Sequence, residues 1–275
     1  MKINFPENIN INYPDRLILT IYSGEEHFSL SLHNPEEKGS YFYMELTAEN
    51  QADAFSAFKE TFFDNTFFSL PFRKVSIMNR TPLFIFIPNS IYEKKSREDF
   101  LQFLLPENQG ITLNHIVSYT GISVLYQLPE DVYNFMLRSF SEPEFIHYSA
   151  PMITYFLEKV KNISNRRMVV NLQGKGLDIF CFSRDTFLLG NYFPCNSLSE
   201  ALYYILFTWK QLQFNQLNDY LHIAGEAVFK EELIGKLALY LQQIHQLAIP
   251  PANHFEGIET DRIPIELAML SLCGL

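Results

Sequence analysis

The sequence predicts an α/β protein with two lobes, each a mixed β-sheet flanked by helices. Two observations lead to this fold class. A unit of three consecutive strands and one amphipathic helix occurs near the N-terminus, and a similar unit begins roughly 150 residues later. After each unit, strands and helices alternate, which indicates a sheet with helices packed on its faces.

The predicted boundary between the lobes is the polar, turn-forming segment Asn162–Arg167. The first lobe is therefore assigned to residues 1–161 and the second lobe to residues 162–275. A chain of 275 residues is long enough for two domains of ordinary size. Hydrophobic residues make up 47% of the chain and charged residues 19%, which is typical of a folded, core-forming protein.

The elements of the first lobe follow from hydrophobic spacing. Phe28, Leu30 and Leu32 alternate with polar residues, which indicates a strand with one apolar face. The other predicted strands are Arg16–Tyr22, Tyr41–Leu46, Lys74–Met78, Leu83–Ile87, Ile111–Ser118 and Gly121–Gln127. Helices are predicted from Ala54, near Phe100–Leu105, after Pro129 and after Ser149.

The second lobe begins with the clearest pattern in the chain, residues 166–212. Three predicted strands precede a helix that opens on the capping box Ser197-Leu198-Ser199-Glu200 and repeats apolar residues at helical spacing. The strands are Met168–Leu172, Leu177–Phe182 and Phe187–Phe193. Further predicted elements are a strand at Tyr220–Ala224, a long helix at Lys230–Leu247, a strand over residues 252–258 and a helix at Ile265–Leu272.

Charge and cysteine content argue against several functional classes. The net charge is −10, so the chain lacks the positive field that attracts a phosphate backbone, and we expect no nucleic-acid partner. Aromatic residues make up 15% of the chain and are expected to fill the cores. The three cysteines form no C-x-x-C pair, which argues against a disulfide framework and a thiolate zinc site.

The N-terminal segment lacks the apolar core of a signal peptide, and no apolar run is long enough to span a membrane. We therefore expect a cytoplasmic protein without a transmembrane segment.

The order of elements resembles the actin-like ATPase fold, a duplicated ribonuclease H-like fold shared by actin, sugar kinases and Hsp70 chaperones. The resemblance covers nearly the whole chain and rests on RMVVNLQGKGLDIFCF at residues 167–182, on Tyr220–Gly225, on Phe86-Ile87-Pro88 and on Ile263–Leu267. The chain looks most similar to an uncharacterised bacterial family assigned this fold. More distantly, it resembles the actin-like proteins of cell division, pilus assembly and type II secretion.

This resemblance implies two phosphate loops and an adenosine loop. In active members, an Asp in each phosphate loop holds Mg²⁺, and neighbouring glycines let backbone N–H groups approach phosphate. The first turn here, Thr20–Glu26, contains no Asp-x-Gly. The second turn has the neutral Asn171 near the position of the acid, and the adenosine turn has Gly225 followed by Glu226 instead of a second glycine.

Five residues match the family's nucleotide site and are candidate cofactor contacts: Asn171, Gly174, Lys175, Gly176 and Gly225. Lys175 could contact a phosphate, although an exposed lysine in a hairpin turn explains its position equally well. No catalytic residue is predicted. No metal ligand is predicted either, because the seven histidines are scattered and the adjacent Glu25 and Glu26 would point to opposite sides of a strand.

Because the acids of both phosphate loops are missing, the sequence favours a pseudo-ATPase, that is, a non-catalytic scaffold or protein-interaction module of the cytoplasm. Its partner would be an unidentified protein, and no cofactor is expected. The alternative is a weak nucleotide-binding ATPase or kinase that binds ATP with magnesium in a cleft between the lobes. Whether the chain is an enzyme is left open, with the balance against it, and the sequence does not indicate the oligomeric state.

Overall fold

A computed structural model describes residues 2–24, 27–46, 53–92, 110–118, 120–158 and 164–274. The chain forms two compact units. Unit 1 comprises Met1–Val117, Gly121–Ala150 and Pro250–Leu275, and unit 2 comprises Ser118–Thr120 and Pro151–Ile249.

Strands and α-helices are numbered separately in chain order. The strands are β1 Ile18–Ser23, β2 Phe28–His33, β3 Tyr41–Leu46, β4 Lys74–Asn79, β5 Phe84–Pro88, β6 Ile111–Val117, β7 Ile122–Leu128, β8 Glu144–His147, β9 Arg166–Gln173, β10 Gly176–Ser183, β11 Thr186–Pro194, β12 Tyr220–Gly225 and β13 Gln243–Gln246. The α-helices are α1 Ala54–Asp64, α2 Asn89–Tyr92, α3 Glu130–Ser139, α4 Ser149–Glu158, α5 Leu198–Gln211, α6 Lys230–Leu237 and α7 Ile265–Cys273.

The main sheet of unit 1 has five strands in the order β3-β2-β1-β4-β8. The pairs β1–β2 and β2–β3 are antiparallel, whereas β1–β4 and β4–β8 are parallel. Leu19, Ile21 and Leu30 on one face of the sheet belong to a buried cluster that also includes Phe58 of α1 and Met136 of α3. Burial of this apolar face supplies the main driving force for folding of unit 1.

The opposite face of the same sheet is polar and contacts the C-terminal segment. Tyr22 donates a hydrogen bond to Glu266 at the start of α7, and the His33 ring lies 5.2 Å from the His254 ring, centroid to centroid. The backbone N–H of Gly39 donates to the carbonyl of Asn253 at 2.8 Å. These contacts explain why residues 250–275 belong to unit 1.

A second, smaller sheet in unit 1 has the order β5-β7-β6, and both of its strand pairs are antiparallel.

The sheet of unit 2 repeats the arrangement, with the order β11-β10-β9-β12-β13. Its first three strands are antiparallel neighbours, and β9, β12 and β13 run parallel. Val170 and Leu172 pack in a buried cluster with Ile205 of α5 and Leu233 of α6. The predicted duplication of a mixed sheet with flanking helices is therefore confirmed.

Two predicted elements of secondary structure need correction. The long helix predicted at Lys230–Leu247 is wrong: α6 ends at Leu237, and Gln243–Gln246 forms β13, in which Ile244 pairs with Leu221 of β12. Leu233, Leu237 and Leu241 are all buried at helical spacing, but Leu241 lies beyond the end of α6. The apolar pattern therefore extends past the helix itself.

The strand predicted over residues 252–258 is also wrong. Asn253–Phe255 forms a short 3₁₀ helix whose His254 and Phe255 side chains are buried. The short strand β8 was not predicted, because its four residues are too few to show a period. The helix predicted near Phe100–Leu105 lies outside the described residues.

The division into units differs from the predicted boundary between residues 161 and 162. Unit 2 begins earlier, within α4, and the last segment, Pro250–Leu275, returns to unit 1. The predicted second lobe, residues 162–275, therefore spans parts of both compact units.

Candidate functional site

Asn171 lies in the middle strand of the unit 2 sheet. It pairs with Asp178 of β10 on one side and with Ala224 of β12 on the other. Side-chain alternation places it on the face opposite Val170 and Leu172. Its side chain is fully buried, and neither amide atom has a hydrogen-bond partner among the residues that the structure describes. A buried amide without partners is costly, so this position carries unused hydrogen-bonding capacity.

Gly225 ends β12 directly beside Asn171. Its φ angle is +73°, a left-handed conformation that residues with a side chain rarely adopt. A Cβ atom at this position would lie 2.0 Å from the carbonyl oxygen of Leu172 and 2.7 Å from Oδ1 of Asn171. Glycine is therefore required here by the close approach of two strand ends.

Gly174 and Lys175 form the two-residue turn between β9 and β10. Both are exposed, and a Cβ atom at Gly174 would meet nothing within 4 Å. The carbonyl of Lys175 accepts hydrogen bonds from the hydroxyl of Tyr192 and from the backbone N–H of Cys195. This geometry is that of a hairpin turn supported by the neighbouring strand.

Close packing against β11 requires a glycine at position 176. A Cβ atom on this residue would lie 2.5 Å from the hydroxyl of Tyr192 and 2.6 Å from the carbonyl oxygen of Phe193. Of the five candidates, the structure brings Asn171 and Gly225 into direct proximity. Gly174 and Lys175 form the turn that follows β9, and Gly176 is the first residue of β10. Their assignment to a nucleotide stays a prediction.

Glu226, which stands where the resemblance implies a second glycine, points into solvent. Its side chain is 83% exposed, and its carboxylate pairs with Lys230 at 2.8 Å.

Unit 1 has a different arrangement at the equivalent place. The last residue pair of the β1–β4 ladder is Ser23 with Asn79, and that of the β9–β12 ladder is Leu172 with Gly225. Ser23 of β1 therefore corresponds to Leu172 of β9. The residues that precede them in these central strands, Tyr22 in unit 1 and Asn171 in unit 2, correspond to each other.

Tyr22 belongs to a buried ionic network. Its hydroxyl donates to Oε1 of Glu266 at 2.9 Å, and Nη1 of Arg80 lies 3.3 Å from the same oxygen. The Arg80 guanidinium also lies 4.3 Å from the centre of the Tyr148 ring. Burial, followed by the negative charge of Glu266, raises the pKa of Tyr22 well above its usual value, so the hydroxyl stays protonated and donates.

The Glu266 carboxylate is not fully satisfied. Its side chain is only 1% exposed, and within the described part of the chain Oε2 has no hydrogen-bond partner. A buried carboxylate is tolerated because the cation of Arg80 and the hydroxyl of Tyr22 both stabilise its charge.

A cavity of about 300 Å³ adjoins this end of the sheet, with Arg80 among its lining residues. Asp53 is the one carboxylate among its described lining residues, and its side chain accepts the N–H of Ser56 as the N-cap of α1. Within the described residues, this cavity therefore holds no free pair of acids that could position a metal ion.

Sequence reasoning missed the network around Glu266. The available signal was a single acidic residue in the otherwise apolar helix sequence IELAMLSLC. A lone charge on an apolar helix face requires a partner, but only the tertiary structure identifies Arg80 and Tyr22 as that partner.

Four of the seven histidines lie next to one another in two pairs. His33 lies near His254, and His222 lies 5.7 Å from His245, centroid to centroid. Burial and the neighbouring His254 lower the pKa of His33 to about 3, and burial, then His245 and Arg167, lower the pKa of His222 to about 4. These two histidines, His33 and His222, are therefore neutral at physiological pH.

The part of the chain that the structure describes contains no cluster of three or more His, Cys, Asp or Glu side chains that could hold a metal ion. In the same residues, every helix is too short or too polar to cross a lipid bilayer.

Comparison with solved structures confirms the fold. A Bacteroides thetaiotaomicron protein with an actin-like ATPase fold and unknown function is 25% identical, with a TM-score of 0.79, over 97% of this chain and 99% of that one. The PilM–PilN type IV pilus biogenesis complex contains a chain with 12% identity and a TM-score of 0.56, over 93% of this chain and 97% of that one. The fold of this protein is therefore actin-like, as the sequence predicted.

No curated protein matches the sequence. A family model described as a protein of unknown function, DUF3822, matches residues 6–244. Because this match covers most of the chain, the protein belongs to the DUF3822 family.

Proposed function

We propose that this chain is a non-catalytic, actin-like scaffold of the cytoplasm that works by binding a partner protein. The observation that carries the proposal is the network of Tyr22, Glu266 and Arg80 at the end of the central strand of unit 1. In active relatives, this strand is expected to end in an acid that holds magnesium. Here this position instead holds a tyrosine, whose hydroxyl donates a hydrogen bond to the carboxylate of an internal ion pair.

The equivalent position of unit 2 supports the same conclusion. Asn171 is neutral, whereas Mg²⁺ in phosphate-transferring sites is bound through carboxylates and substrate phosphates. Neither central strand therefore supplies an acid at the equivalent residue, Tyr22 in unit 1 and Asn171 in unit 2.

Two further observations support the partner and the compartment. PilM, whose fold is similar, is seen in a complex with PilN, so this fold can present a surface to another protein. The buried cysteines Cys181 and Cys195 are thiols outside any disulfide, which is consistent with a reducing compartment.

The test is nucleotide binding measured by thermal unfolding and calorimetry with ATP and magnesium. We expect no change in melting temperature and no phosphate release above a buffer control. A ligand present at about 100 times its Kd stabilises a protein by about 2.7 kcal/mol, which such a measurement detects easily. A magnesium-dependent rise in melting temperature with a non-hydrolysable ATP analogue would overturn the proposal.

Weak nucleotide binding by unit 2 is the second candidate function. The specific observation in its favour is the buried Asn171 amide, which has no hydrogen-bond partner in the described ranges and lies beside the glycine backbone of Gly225. If ATP binds, replacing Lys175 with Ala and Asn171 with Leu should each weaken it. An ATP affinity that both variants leave unchanged would exclude these residues as the binding site.

A further inference from the structure

A second cavity in unit 1, of about 370 Å³, lies at the other end of the main sheet from Tyr22. One wall is the polar face of the sheet, where Ile18 of β1 pairs with His33 of β2 on one side and with Lys74 of β4 on the other. The opposite wall is the last turn of α7. Ile18 and Tyr22 are separated by about 13 Å along β1, so this cavity is distinct from the ionic network.

The imidazole of His33 lines this cavity and lacks a hydrogen-bond partner. The residue is 3% exposed, and neither ring nitrogen is bonded to any residue that the structure describes. The ring is neutral, so one nitrogen is a donor and the other is an acceptor. An unpaired buried polar group is costly, and a polar ligand in the cavity supplies the missing partner after a small rotation of the ring. The wall formed by the sheet therefore favours a polar ligand.

Two cations, Arg73 and Lys74, line the cavity, and its described lining residues include no carboxylate. Both cations pair with glutamates beyond the lining: Nη1 of Arg73 lies 2.8 Å from Glu36, and Lys74 pairs with Glu144. These pairs are partly exposed and therefore weak, and each leaves further N–H groups for a ligand carboxylate. The four groups together carry no net charge, which favours a ligand that is itself neutral overall.

The wall formed by α7 presents hydrogen-bond acceptors. This helix ends at Cys273, and the carbonyl groups of a last helical turn have no partners within the helix and form the negative end of its dipole. The Ser271 hydroxyl donates to the carbonyl of Ala268, so its oxygen accepts from Nε2 of His254 at 3.0 Å and keeps one further lone pair. An ammonium group is the donor that matches these acceptors.

We propose that this cavity, the α7 cavity, binds a free α-amino acid with an aliphatic side chain. The carboxylate lies against Arg73 and Lys74, and the ammonium lies against Ser271 and the last turn of α7. An amino acid carries both charges and no net charge, as the local charges require. Its side chain packs on the apolar lining residues, which are Ile18, Pro35 and Leu270.

This inference goes beyond the proposed function and does not rest on it. Nucleotide binding could overturn the non-catalytic proposal and leave the α7 cavity intact. Failure of the amino-acid test would remove this site and leave the nucleotide result unchanged.

The experiment uses the full chain, isothermal titration calorimetry and L-leucine as the probe. We expect saturable binding and a rise in melting temperature that increases with leucine concentration. Two analogues separate the charges: 4-methylpentanoate lacks the ammonium group, and 3-methylbutylamine lacks the carboxylate. Each should bind about tenfold more weakly than leucine or worse, because each leaves one set of polar groups without its partner.

Substitutions of the two cations place the ligand. Arg73→Gln and Lys74→Gln should each weaken leucine binding about tenfold. These side chains are 49% and 31% exposed, so neither substitution opens the core. The matched control is Lys38→Gln, which breaks the Lys38–Glu256 pair of unit 1 outside the cavity and should leave leucine binding unchanged.

Three results would overturn the proposal. The first is absence of saturable leucine binding. The second is equal binding of leucine and 4-methylpentanoate, because the site would then recognise a plain anion. The third is a leucine affinity that is the same in Arg73→Gln, Lys74→Gln and Lys38→Gln, because it would place the amino acid elsewhere.

Discussion

The two main sheets have equivalent strand orders, but the polar residues near the ends of their central strands differ in their hydrogen bonding. In unit 1, Tyr22 is joined to Glu266 and Arg80 in a buried ionic network. In unit 2, Asn171 is equally buried, but none of the described residues is a hydrogen-bond partner for either amide atom. The fold therefore fixes the position of a polar group at each strand end, whereas the sequence decides whether that group is used for internal stability.

The largest expected effect is the loss of the network in unit 1. Glu266→Ala leaves Arg80 partly buried without its carboxylate and Tyr22 without its acceptor. Breaking a buried pair in this way costs about 3–5 kcal/mol. The free energy of unfolding, measured by urea denaturation, should fall by that amount.

The matched control for this change is Glu256→Ala. Glu256 pairs with Lys38 at 3.2 Å, but both side chains are mostly exposed, so the expected cost is at most about 1 kcal/mol. Equal losses for the two variants would show that the buried network does not stabilise unit 1.

The next effect tests the strand end in unit 2. Gly225→Ala forces a side chain into a left-handed backbone, at a cost of about 1–2 kcal/mol, and the contact with the carbonyl of Leu172 adds to this cost. Gly174→Ala, in open space, should change stability by less than about 1 kcal/mol. Thermal unfolding of both variants measures the difference, and a Gly225→Ala protein as stable as Gly174→Ala would contradict the described geometry.

Acid sensitivity should come from the buried histidines of both units. His33 has a folded-state pKa of about 3, so between that value and its unfolded value near 6.5 only the unfolded chain binds the proton. The stability contributed by neutral His33 is therefore complete above pH ~6.5 and is lost as the pH falls toward the folded value, at about 1.4 kcal/mol per pH unit.

His33→Phe should reduce the slope of the unfolding free energy against pH by about 1.4 kcal/mol per pH unit, which corresponds to the uptake of one proton on unfolding. His222→Phe should do so over a narrower interval, because the folded-state pKa of His222 is about 4. An unchanged slope in the His33 variant would mean that its imidazole is already protonated in the folded protein.

The last prediction compares the two equivalent residues directly, and it includes the smallest expected effect, that of Asn171→Leu. Tyr22→Phe removes the donor to Glu266 and should cost about 1–3 kcal/mol. Asn171→Leu replaces an unpaired buried amide by an apolar group of similar size, so its effect should be near zero or stabilising by about 1 kcal/mol. A large loss on Asn171→Leu would show that the amide has a partner in solution.

Much of the fold was predictable from local patterns. The strands and the helix of residues 166–212 were predicted because alternation and a capping box both signal secondary structure within a few residues. The end of α6 was not predicted, because Leu241 continues the helical spacing while Ile244 pairs in a sheet. Such a choice is made by tertiary contacts rather than by spacing.

The candidate site was predictable only in part. The resemblance to the actin-like ATPase fold pointed to Asn171 and Gly225 as candidate residues, and the structure brings these two residues together. The network of Tyr22 and Glu266 joins residues 244 positions apart, and no spacing rule connects residues so distant. The pairing of His33 with His254 was unpredictable for the same reason.

The return of residues 250–275 to unit 1 has a consequence for synthesis on the ribosome. The chain emerges from its N-terminus, and domains usually fold as they are completed. Unit 2 is contiguous from Pro151 to Ile249 apart from three residues, but unit 1 must wait for α7, which brings Glu266 to Tyr22. Unit 2 can therefore complete its folding first, and Tyr22 on the polar face of the unit 1 sheet lacks its contact with Glu266 until α7 has been translated.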